Sequence, residues 1–500
     1  MTGPEAPAAR QDASAGAAPR AIPAPAPARV KLLSGFTGGV DSLVFIGYEL
    51  FILFYYNQIL GLPATMTGVA ILISMIIDAI TDPIVGSWSD NLRSRFGRRH
   101  AFMFGSILPL GLTIWLLFSP PAGLGETGLL AWLIVMSVAV RVTLTFFAMP
   151  ASAVLAEISP LKKDRAEMGI ARQIFGSAGQ YLLLWMAFSV FFVPTPEFPN
   201  GQENAAAYPP FALAFAIVIM SFMLIGSTAT YRRIREHEAA LGERPHTSFN
   251  LVKALREWGA ALARFPNFRA ILLGLFLAGL TGSTHRSLSL YLGTYLWELT
   301  PAQIKEWQQI TIIGTFALAL AARFFISKLD PKIPYISAFV LLKACILLPP
   351  LLSVLGLFPA AGSPALVTAL LGFNLVVGAC YGTIMVASAV MFSEITDEYH
   401  YVTRISQTGM IFGLITFGNK AASGLGKVIS GSFLELSHFP SKDRMDLLTP
   451  EIMAKLVYML SGYIFLFAVI GFIVLNTYRL TRARHDEILR GLEEMKAKQA

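Results

Sequence analysis

The stretch IIDAITDPIVGSWSDNLRSRFGRR, residues 76–99, decides how the whole chain is interpreted. Two aspartates, Asp78 and Asp82, lie in an apolar run of the kind that crosses a lipid bilayer, and arginines cluster shortly after it. Charged groups at bilayer depth are costly, so they normally face the interior of a helix bundle and mark ion or proton paths. The stretch therefore predicts a membrane-spanning helix that carries a functional acidic pair.

The composition of the 500-residue chain is that of a membrane protein. Hydrophobic residues make up 55% of the chain and charged residues 14%, and the mean hydropathy is +0.60. Soluble domains contain about 25% charged residues, so most of this chain faces something other than water. The two cysteines, Cys345 and Cys380, lie inside apolar runs, and we expect neither a disulfide framework nor a cysteine metal site.

Apolar stretches long enough to cross a bilayer, which takes about 20 helical residues, recur along the chain. The twelve predicted spans are 34–60, 65–89, 101–119, 128–157, 168–193, 211–230, 269–297, 302–325, 333–353, 364–392, 404–435 and 456–478. Several of them exceed the minimum length, which indicates tilted helices or helices that project into the cytoplasm. The pattern predicts an all-α integral membrane protein with twelve transmembrane helices.

Basic residues alternate from loop to loop as the positive-inside rule requires. The first five loops that follow odd-numbered spans contain no Lys or Arg, whereas the loops after even-numbered spans include basic clusters at 93–99, 162–165 and 231–264. The last outer loop, 436–455, is an exception because it contains basic residues. The alternation places both termini in the cytoplasm. It also accounts for the net charge of +8, so a nucleic-acid partner is not predicted.

The longest inner connection divides the spans into two sets of six. We expect a disordered Ala- and Pro-rich cytoplasmic tail at 1–33, six-helix bundles at 34–230 and 269–478, a cytoplasmic linker at 231–268 and a cytoplasmic tail at 479–500. In the linker, FNLVKALREWGAALARF fits either an amphipathic helix on the inner leaflet or a solvated helix. The six-plus-six plan resembles the major facilitator superfamily, in which two halves rock around a site near the bilayer midplane.

Asp78 and Asp82 are four positions apart, so on a helix both side chains project from one face, about 6 Å apart along the axis. Two carboxylates so close repel each other, so either a cation lies between them or one of them holds a proton. Thr81 adds an oxygen nearby, and hard cations prefer oxygen ligands. The alternative is a structural role, in which the pair binds a basic side chain within the membrane, and both roles can hold in different conformations.

The segment GSWSDNLRSRFGRR resembles the loop between the second and third helices of major facilitator proteins. The residues that carry the resemblance are Gly86, Asp90, Arg93, Arg98 and Arg99. The resemblance implies a gate, in which Gly86 allows close helix packing and Asp90 pairs with the arginines to lock the inner side while the outer side is open. The alternative is that the arginines only set the orientation of the helices.

The motif DAITDPIVG, followed by DNLRSRFGRR, is similar to that of the glycoside–pentoside–hexuronide:cation symporters, the melibiose permease group. Lysophospholipid symporters of vertebrates share the pattern. The resemblance covers residues 34–478, and it implies that Asp78, Thr81, Asp82 and Thr145 bind a coupling sodium ion. It implies no other cofactor.

The same resemblance implies residues for the solute. Asp41 looks like the family's hydroxyl acceptor on the first helix, and Arg172 looks like its arginine on the fifth helix. Lys420, in FGNKAASGLG, looks like the lysine of the eleventh helix, which can reach the acidic pair when the cation leaves. The fourth helix departs from the galactoside-binding members, because Ala148 replaces an acidic residue and Ser152 a tryptophan. We therefore expect the cation site with a changed solute.

Further charged residues lie inside the predicted spans. The basic ones are Arg141, Arg172, Arg286, Lys343, Lys420 and Lys427, and the acidic ones are Asp41, Glu49, Asp78 and Asp82. The cavity is therefore expected to be slightly positive once a sodium ion neutralises the acidic pair. Arg286, near the middle of the seventh helix, suits a carboxylate or phosphate of the solute. The alternative is that a carbonyl or carboxylate of a neighbouring helix satisfies Arg286.

Together these features predict a monomeric secondary active transporter of the plasma membrane, of the bacterial inner-membrane type, and not an enzyme. It would couple the gradient of a monovalent cation, Na⁺ or H⁺ with Na⁺ favoured, to uptake of a small organic solute. A sugar, glycoside or uronide is the favoured solute. Two alternatives stay open: a symporter of a lysolipid or another amphiphilic or anionic solute, and a non-transporting membrane sensor or scaffold on the same fold.

Overall fold

The computed structural model describes residues 25–499 except for 93, 160, 242–250, 327–328 and 405–407. All regular secondary structure in these residues is helical, as predicted. The α-helices are α1 Ala28–Leu33, α2 Phe36–Leu50, α3 Ala64–Asn91, α4 His100–Gly105, α5 Ile107–Leu117, α6 Glu126–Ile158, α7 Lys162–Met186, α8 Tyr208–Leu241, α9 Leu251–Arg264, α10 Pro266–Tyr291, α11 Pro301–Ile326, α12 Lys332–Val354, α13 Pro364–Thr403, α14 Thr408–Leu436, α15 Pro450–Asn476 and α16 Arg482–Gln499. We call α1–α8 the first half and α10–α16 the second half.

Ten helical stretches among the described residues are long and apolar enough to cross a membrane. Helices α11 and α14 are not among these ten, so the total of twelve spans stays a prediction. Three of the ten stretches end in a π-helical turn, at Phe54–Ile59, Ala187–Phe191 and Leu292–Leu296. These turns follow α2, α7 and α10, at the end of the molecule opposite the arginine-rich loop.

The two halves are joined at that end by hydrogen bonds between side chains. The Tyr291 hydroxyl donates to Asn57 Oδ1 at 2.9 Å, and Lys305 Nζ donates to Ser189 Oγ at 3.0 Å. These contacts tie the ends of α2 and α7 to the end of α10 and the start of α11. They close the space between the halves on the side that the charge pattern of the loops predicts to be outside.

Helices α3 and α14 form the longest contact between the halves, and glycines allow their close approach. A Cβ atom on Gly68 would lie 2.6 Å from the Lys427 carbonyl oxygen, and one on Gly431 would lie 2.2 Å from the Ala64 carbonyl oxygen. Any larger residue at either position would push the helices apart. Helix α3 has 28 residues and is about 42 Å long at 1.5 Å per residue, so it runs from this contact to the arginine-rich loop.

The segment before the first predicted span is more ordered than the sequence indicated. Residues 28–33, expected to belong to a disordered tail, form α1. The Ala26 backbone N–H donates to Asp164 Oδ2 at 2.8 Å, and Lys31 Nζ lies 3.2 Å from Asp164 Oδ1 and 2.5 Å from Glu167 Oε2. These contacts fix α1 against the start of α7. The composition of the tail could not show them, because the partners are more than a hundred residues away in sequence.

The end of the chain, expected to be a cytoplasmic tail, contains the helix α16. His485 Nε2 lies 3.0 Å from Asp397 Oδ2 of α13, and Ile488 and Leu492 of α16 are buried. Tyr478, just before α16, donates its hydroxyl to Glu394 Oε2 at 2.9 Å. This helix is therefore packed on the C-terminal end of α13. In the predicted linker, the structure places the amphipathic helix α9.

We predict that Gly378→Ala lowers the unfolding temperature of the purified protein in detergent. A Cβ atom on Gly378 of α13 would lie 2.0 Å from the Thr311 carbonyl oxygen of α11, and overpacking of this kind costs about 1–3 kcal/mol. Gly372→Ala is the matched control on the same helix, because a Cβ atom there meets nothing within 4 Å. Equal unfolding temperatures for the two variants would contradict the packing assigned to α11 and α13.

Candidate functional site

The acidic pair of α3 lies between the halves, next to a lysine of the opposite half. Asp78 and Asp82 are 2% and 8% exposed. Lys420 Nζ, on α14, lies 2.7 Å from Asp78 Oδ2 and 2.5 Å from Asp82 Oδ2. The Thr145 hydroxyl, on α6, lies 2.8 Å from Asp78 Oδ1 and 3.0 Å from Asp82 Oδ1, so it can donate to either. The structure thus brings both aspartates, Thr145 and Lys420 together.

A second basic residue completes this cluster. Arg141 NH1, on α6, lies 3.8 Å from Asp78 Oδ2, and its guanidinium stacks over the Tyr48 ring at 4.3 Å. Two positive charges therefore face the two negative charges of the acidic pair. The sequence indicated no role for Arg141, because the distance between Arg141 and α3 depends on how α6 packs.

Thr81 does not join the cluster. Its hydroxyl donates to the Asp78 carbonyl oxygen in its own helix at 3.1 Å. Adjacent residues of an α-helix point about 100° apart, so Thr81 faces away from the direction of Asp82. Thr81 is also absent from the lining of the cavity that contains the acidic pair. In this conformation Thr81 is not placed to bind an ion shared by the two aspartates.

A cavity of about 430 Å³ opens next to the acidic pair. Its lining includes Asp41, Asp78, Asp82, Arg141, Thr145, Ala148, Ser152, Asn419, Lys420 and Ser423. Arg172 NH2, on α7, lies 3.2 Å from Asp41 Oδ2, and Arg172 NH1 donates to Thr37 Oγ1 at 3.0 Å. The predicted solute residues Asp41 and Arg172 are therefore paired with each other at this cavity. Ala148 and Ser152, the two departures from the galactoside pattern, lie in its wall.

A second cavity of about 530 Å³ adjoins the first. The two cavities share Phe45, Gln180 and Asn419 as lining residues. The lining of the second one further includes Gln173, Ser177, His285, Arg286, Ser289, Trp307, Gln308, Asn374 and Tyr381. Arg286, which the sequence analysis proposed for an anionic group, therefore lies at a cavity different from that of the acidic pair.

Arg286 is paired with Glu49 across the two halves. Arg286 Nε lies 3.4 Å from Glu49 Oε2, and Arg286 NH1 donates to the Tyr381 hydroxyl oxygen at 3.0 Å. Glu49 is 1% exposed, and its Oε1 atom accepts from Ser423 Oγ at 2.6 Å and lies 3.2 Å from Lys427 Nζ. A carboxylate of a neighbouring helix thus contacts Arg286, which was the alternative left open. No role was predicted for Glu49, although a single acidic residue in a predicted span indicates a basic partner on a neighbouring helix.

The arginine-rich loop is held by acidic residues of the first half. Arg99 NH2 lies 2.6 Å from Asp90 Oδ1, and Arg99 NH1 lies 3.2 Å from Glu157 Oε2 at the end of α6. Arg98 also pairs with Glu157. Asp90 therefore pairs with an arginine of the loop, and Glu157 is a partner that the sequence analysis missed. Arg93 lies outside the described residues.

In this conformation Gly86 takes no part in close helix packing, and the packing role expected for it when the inner side is closed stays a prediction. A Cβ atom on Gly86 would meet nothing within 4 Å, so no helix approaches α3 closely at this position. The close approach occurs instead near the start of α3, at Gly68, where the carbonyl oxygen of Lys427 lies against the glycine. The resemblance of the loop motif did not indicate where along α3 the neighbouring helix touches.

Comparison with known proteins places the chain in a transporter family. Residues 42–482 match the family described as MFS/sugar transport protein. An isoprimeverose transporter of Lactiplantibacillus pentosus is 22% identical over 391 residues, which cover 77% of this chain and 75% of that protein. An uncharacterized symporter of Synechocystis is 30% identical over 157 residues, and the match spans only 29% of that protein's length.

Solved structures of transporters share the fold. The xylose transporter XylE of E. coli, in an inward open conformation, superposes with a TM-score of 0.59 at 13% identity, and the match covers 93% of this chain and 98% of XylE. The ten apolar helices agree with a protein that crosses the membrane many times. The chain therefore belongs to the MFS/sugar transport family, and it is a multi-pass membrane transporter rather than an enzyme.

Proposed function

We propose that this protein is a symporter that couples the entry of Na⁺ to the uptake of a sugar, glycoside or uronide. The observation that carries the proposal is the position of Lys420 Nζ, within 2.7 Å of both Asp78 and Asp82. The ammonium group of the Lys420 side chain occupies the place between the carboxylates where a monovalent cation would bind. Asp78, Asp82 and Thr145 would supply the oxygen ligands, which suit a hard cation such as Na⁺.

The ion pair crosses from one half to the other, which suits coupling. Asp78 and Asp82 belong to α3 of the first half, and Lys420 belongs to α14 of the second half. A cation that binds the aspartates must displace the Lys420 ammonium, and it therefore removes an attraction between the halves. When the cation leaves, Lys420 and Arg141 together neutralise the pair again, so that the empty carrier can return without an uncompensated charge in the bilayer.

The proposed topology has twelve spans with both termini in the cytoplasm. Helices α11 and α14 would complete the ten apolar stretches, and α3 and α14 would lie together at the centre of a monomer in the inner membrane. The distribution of basic residues among the loops supports this orientation. The hydrogen bonds between Tyr291 and Asn57 and between Lys305 and Ser189 would then close the outer side.

An amphiphilic solute is a second candidate, and one observation favours it. A cleft of about 710 Å³ between α7 and α11 is lined by apolar side chains that include Trp185, Ile313 and Phe316. It shares Ser177 and Ile312 with the lining of the second cavity. A lysolipid chain could lie in this cleft with its head group in the cavity. Stabilisation of the purified protein by a lysolipid, but by no sugar or sugar acid, would favour this candidate.

We predict that the double substitution Asp78→Asn with Asp82→Asn abolishes uptake driven by a Na⁺ gradient into proteoliposomes. Amides cannot replace the two negative charges that attract the cation, so Na⁺ should also lose its stabilising effect on the purified protein. The measurements are uptake of a panel of labelled sugars, glycosides and sugar acids, and thermal unfolding with Na⁺ or K⁺. Na⁺-dependent accumulation by the double variant would refute the proposed site.

We predict that Lys420→Met retains exchange of labelled for unlabelled solute but loses at least 90% of net uptake, on the order of a tenfold reduction. Without the ammonium, Arg141 alone faces the two carboxylates, so the empty carrier must move an uncompensated negative charge, whereas the loaded carrier still holds its cation. Lys305→Met is the matched control, because Lys305 also bonds across the halves but lies far from the acidic pair. Equal losses of exchange and net uptake in Lys420→Met would show that Lys420 has another role.

We predict that Thr145→Val weakens the stabilisation by Na⁺ about tenfold in apparent affinity, since a hydrogen bond to a charged group contributes about 1.5–3 kcal/mol. Valine keeps the shape of threonine and removes the hydroxyl that contacts both aspartates. Thr143→Val is the control on the same helix, because its hydroxyl donates to the Ala139 carbonyl oxygen at 2.7 Å. The prediction fails if both valine variants show the same Na⁺ dependence.

A further inference from the structure

The second cavity has an unbalanced positive charge. Among the described residues that line it, Arg286 is the only one with a permanent charge, and none is a carboxylate. Phe45 and Tyr381 contact the guanidinium, with ring centroids 5.2 Å and 5.8 Å away. A cavity with aromatic walls and one permanently charged guanidinium suits an organic anion, because Arg binds carboxylates in a planar, bidentate geometry.

Each carboxylate near the two cavities is balanced by a basic residue when Arg286 is left out. Asp41 pairs with Arg172, and the Asp78–Asp82 pair faces Lys420 and Arg141. Glu49 pairs with Lys427, which is fully buried. Each of these groups has a net charge of zero. Arg286 therefore adds one positive charge that the groups around it do not need for neutrality.

The contact between Arg286 and Glu49 is the weaker of the two that Glu49 makes with basic residues. Glu49 Oε1 is held by Ser423 at 2.6 Å and by Lys427 at 3.2 Å. Arg286 Nε lies 3.4 Å from Oε2, which is longer than the roughly 2.7–2.9 Å of a strong charge-assisted hydrogen bond. If Arg286 turned away, Glu49 would keep its pairing with Lys427. Arg286 Nε makes no hydrogen bond to Glu49, so none has to break when Arg286 changes partner.

We propose that the second cavity binds a carboxylate group of the solute and that Arg286 passes from Glu49 to this carboxylate. The inference rests on the proposed transport function and names the chemical class of the solute, an organic acid with a sugar-sized body. The cavity of about 530 Å³ has room for such a body. Glu49 belongs to the first half and Arg286 to the second, so the exchange also removes an attraction between the halves when the solute binds.

The test is equilibrium binding of matched probes to the purified full-length chain. Sugar acids such as methyl β-D-glucuronide are compared with their neutral counterparts, here methyl β-D-glucoside, in Na⁺ and in K⁺. We expect the acid to bind more tightly than its counterpart. Arg286→Gln should lower the affinity for the acid relative to that for the neutral probe by about tenfold or more, as expected for the loss of a charge-assisted hydrogen bond.

Substitution of Glu49, the acidic partner of Arg286, gives the opposite sign, which a merely structural role would not produce. Glu49→Gln removes the internal competitor and should tighten binding of the acid. Because this variant leaves Lys427 buried without a carboxylate, the double variant Glu49→Gln with Lys427→Met restores the charge balance and should bind the acid equally tightly. Lys427→Met alone leaves Arg286 as the only basic partner of Glu49, and it should weaken binding of the acid.

The results separate this inference from the symport proposal. If the neutral probes bind and no sugar acid does, or if Arg286→Gln leaves the affinity for the acid unchanged, the inference is overturned and symport of a neutral sugar still stands. The absence of binding by every acid in the panel also overturns it. If the acid binds through Arg286 with equal affinity in Na⁺ and K⁺, the inference stands and coupling to Na⁺ is contradicted.

Discussion

The structure depends on one interaction, the ammonium of Lys420 between the carboxylates of Asp78 and Asp82. Two carboxylates one helical turn apart in a bilayer repel each other, and they are tolerated only with a proton or a cation between them. Here the cation comes from the opposite half of the molecule. The contact between α3 and α14 is therefore electrostatic at its centre. The close approach of the backbones at Gly68 and Gly431 holds these two helices together at the end opposite the arginine-rich loop.

The other acidic residues near the cavities are likewise neutralised by basic side chains. Each of these acids contacts a basic residue: Asp41 contacts Arg172, and Glu49 contacts Lys427 and Arg286. Asp41 and Arg172 both belong to the first half, so their pairing can persist while the halves move. The contacts of Glu49 and of the acidic pair cross between the halves and must change in every transport cycle. The residues that can exchange partners are thus distinguished by their position in the fold rather than by their type.

Much of the fold could be predicted from the sequence, because a bilayer imposes a simple pattern of long apolar stretches and alternating loop charge. The approach of Asp78 and Asp82 followed from helical geometry, and the resemblance to a known family implied Thr145 and Lys420. Contacts between distant helices could not be derived in this way. The partners of Glu49 depend on how α2 packs against α10 and α14, and in this conformation the tight packing expected at Gly86 occurs at Gly68 instead.

Whether ion binding can shift the equilibrium between conformations depends on which half of the molecule carries the lysine that bridges the aspartates. A ligand shifts a conformational equilibrium only by the difference between its affinities for the two states. A basic residue on α3 or α6 would neutralise the aspartates equally in both conformations, and its displacement by an ion would favour neither. Because Lys420 lies on α14, its distance from the aspartates changes when the halves separate. In the proposed symport cycle the ion would then compete with Lys420 in one conformation only, and by linkage the conformation would in turn set the affinity for the ion.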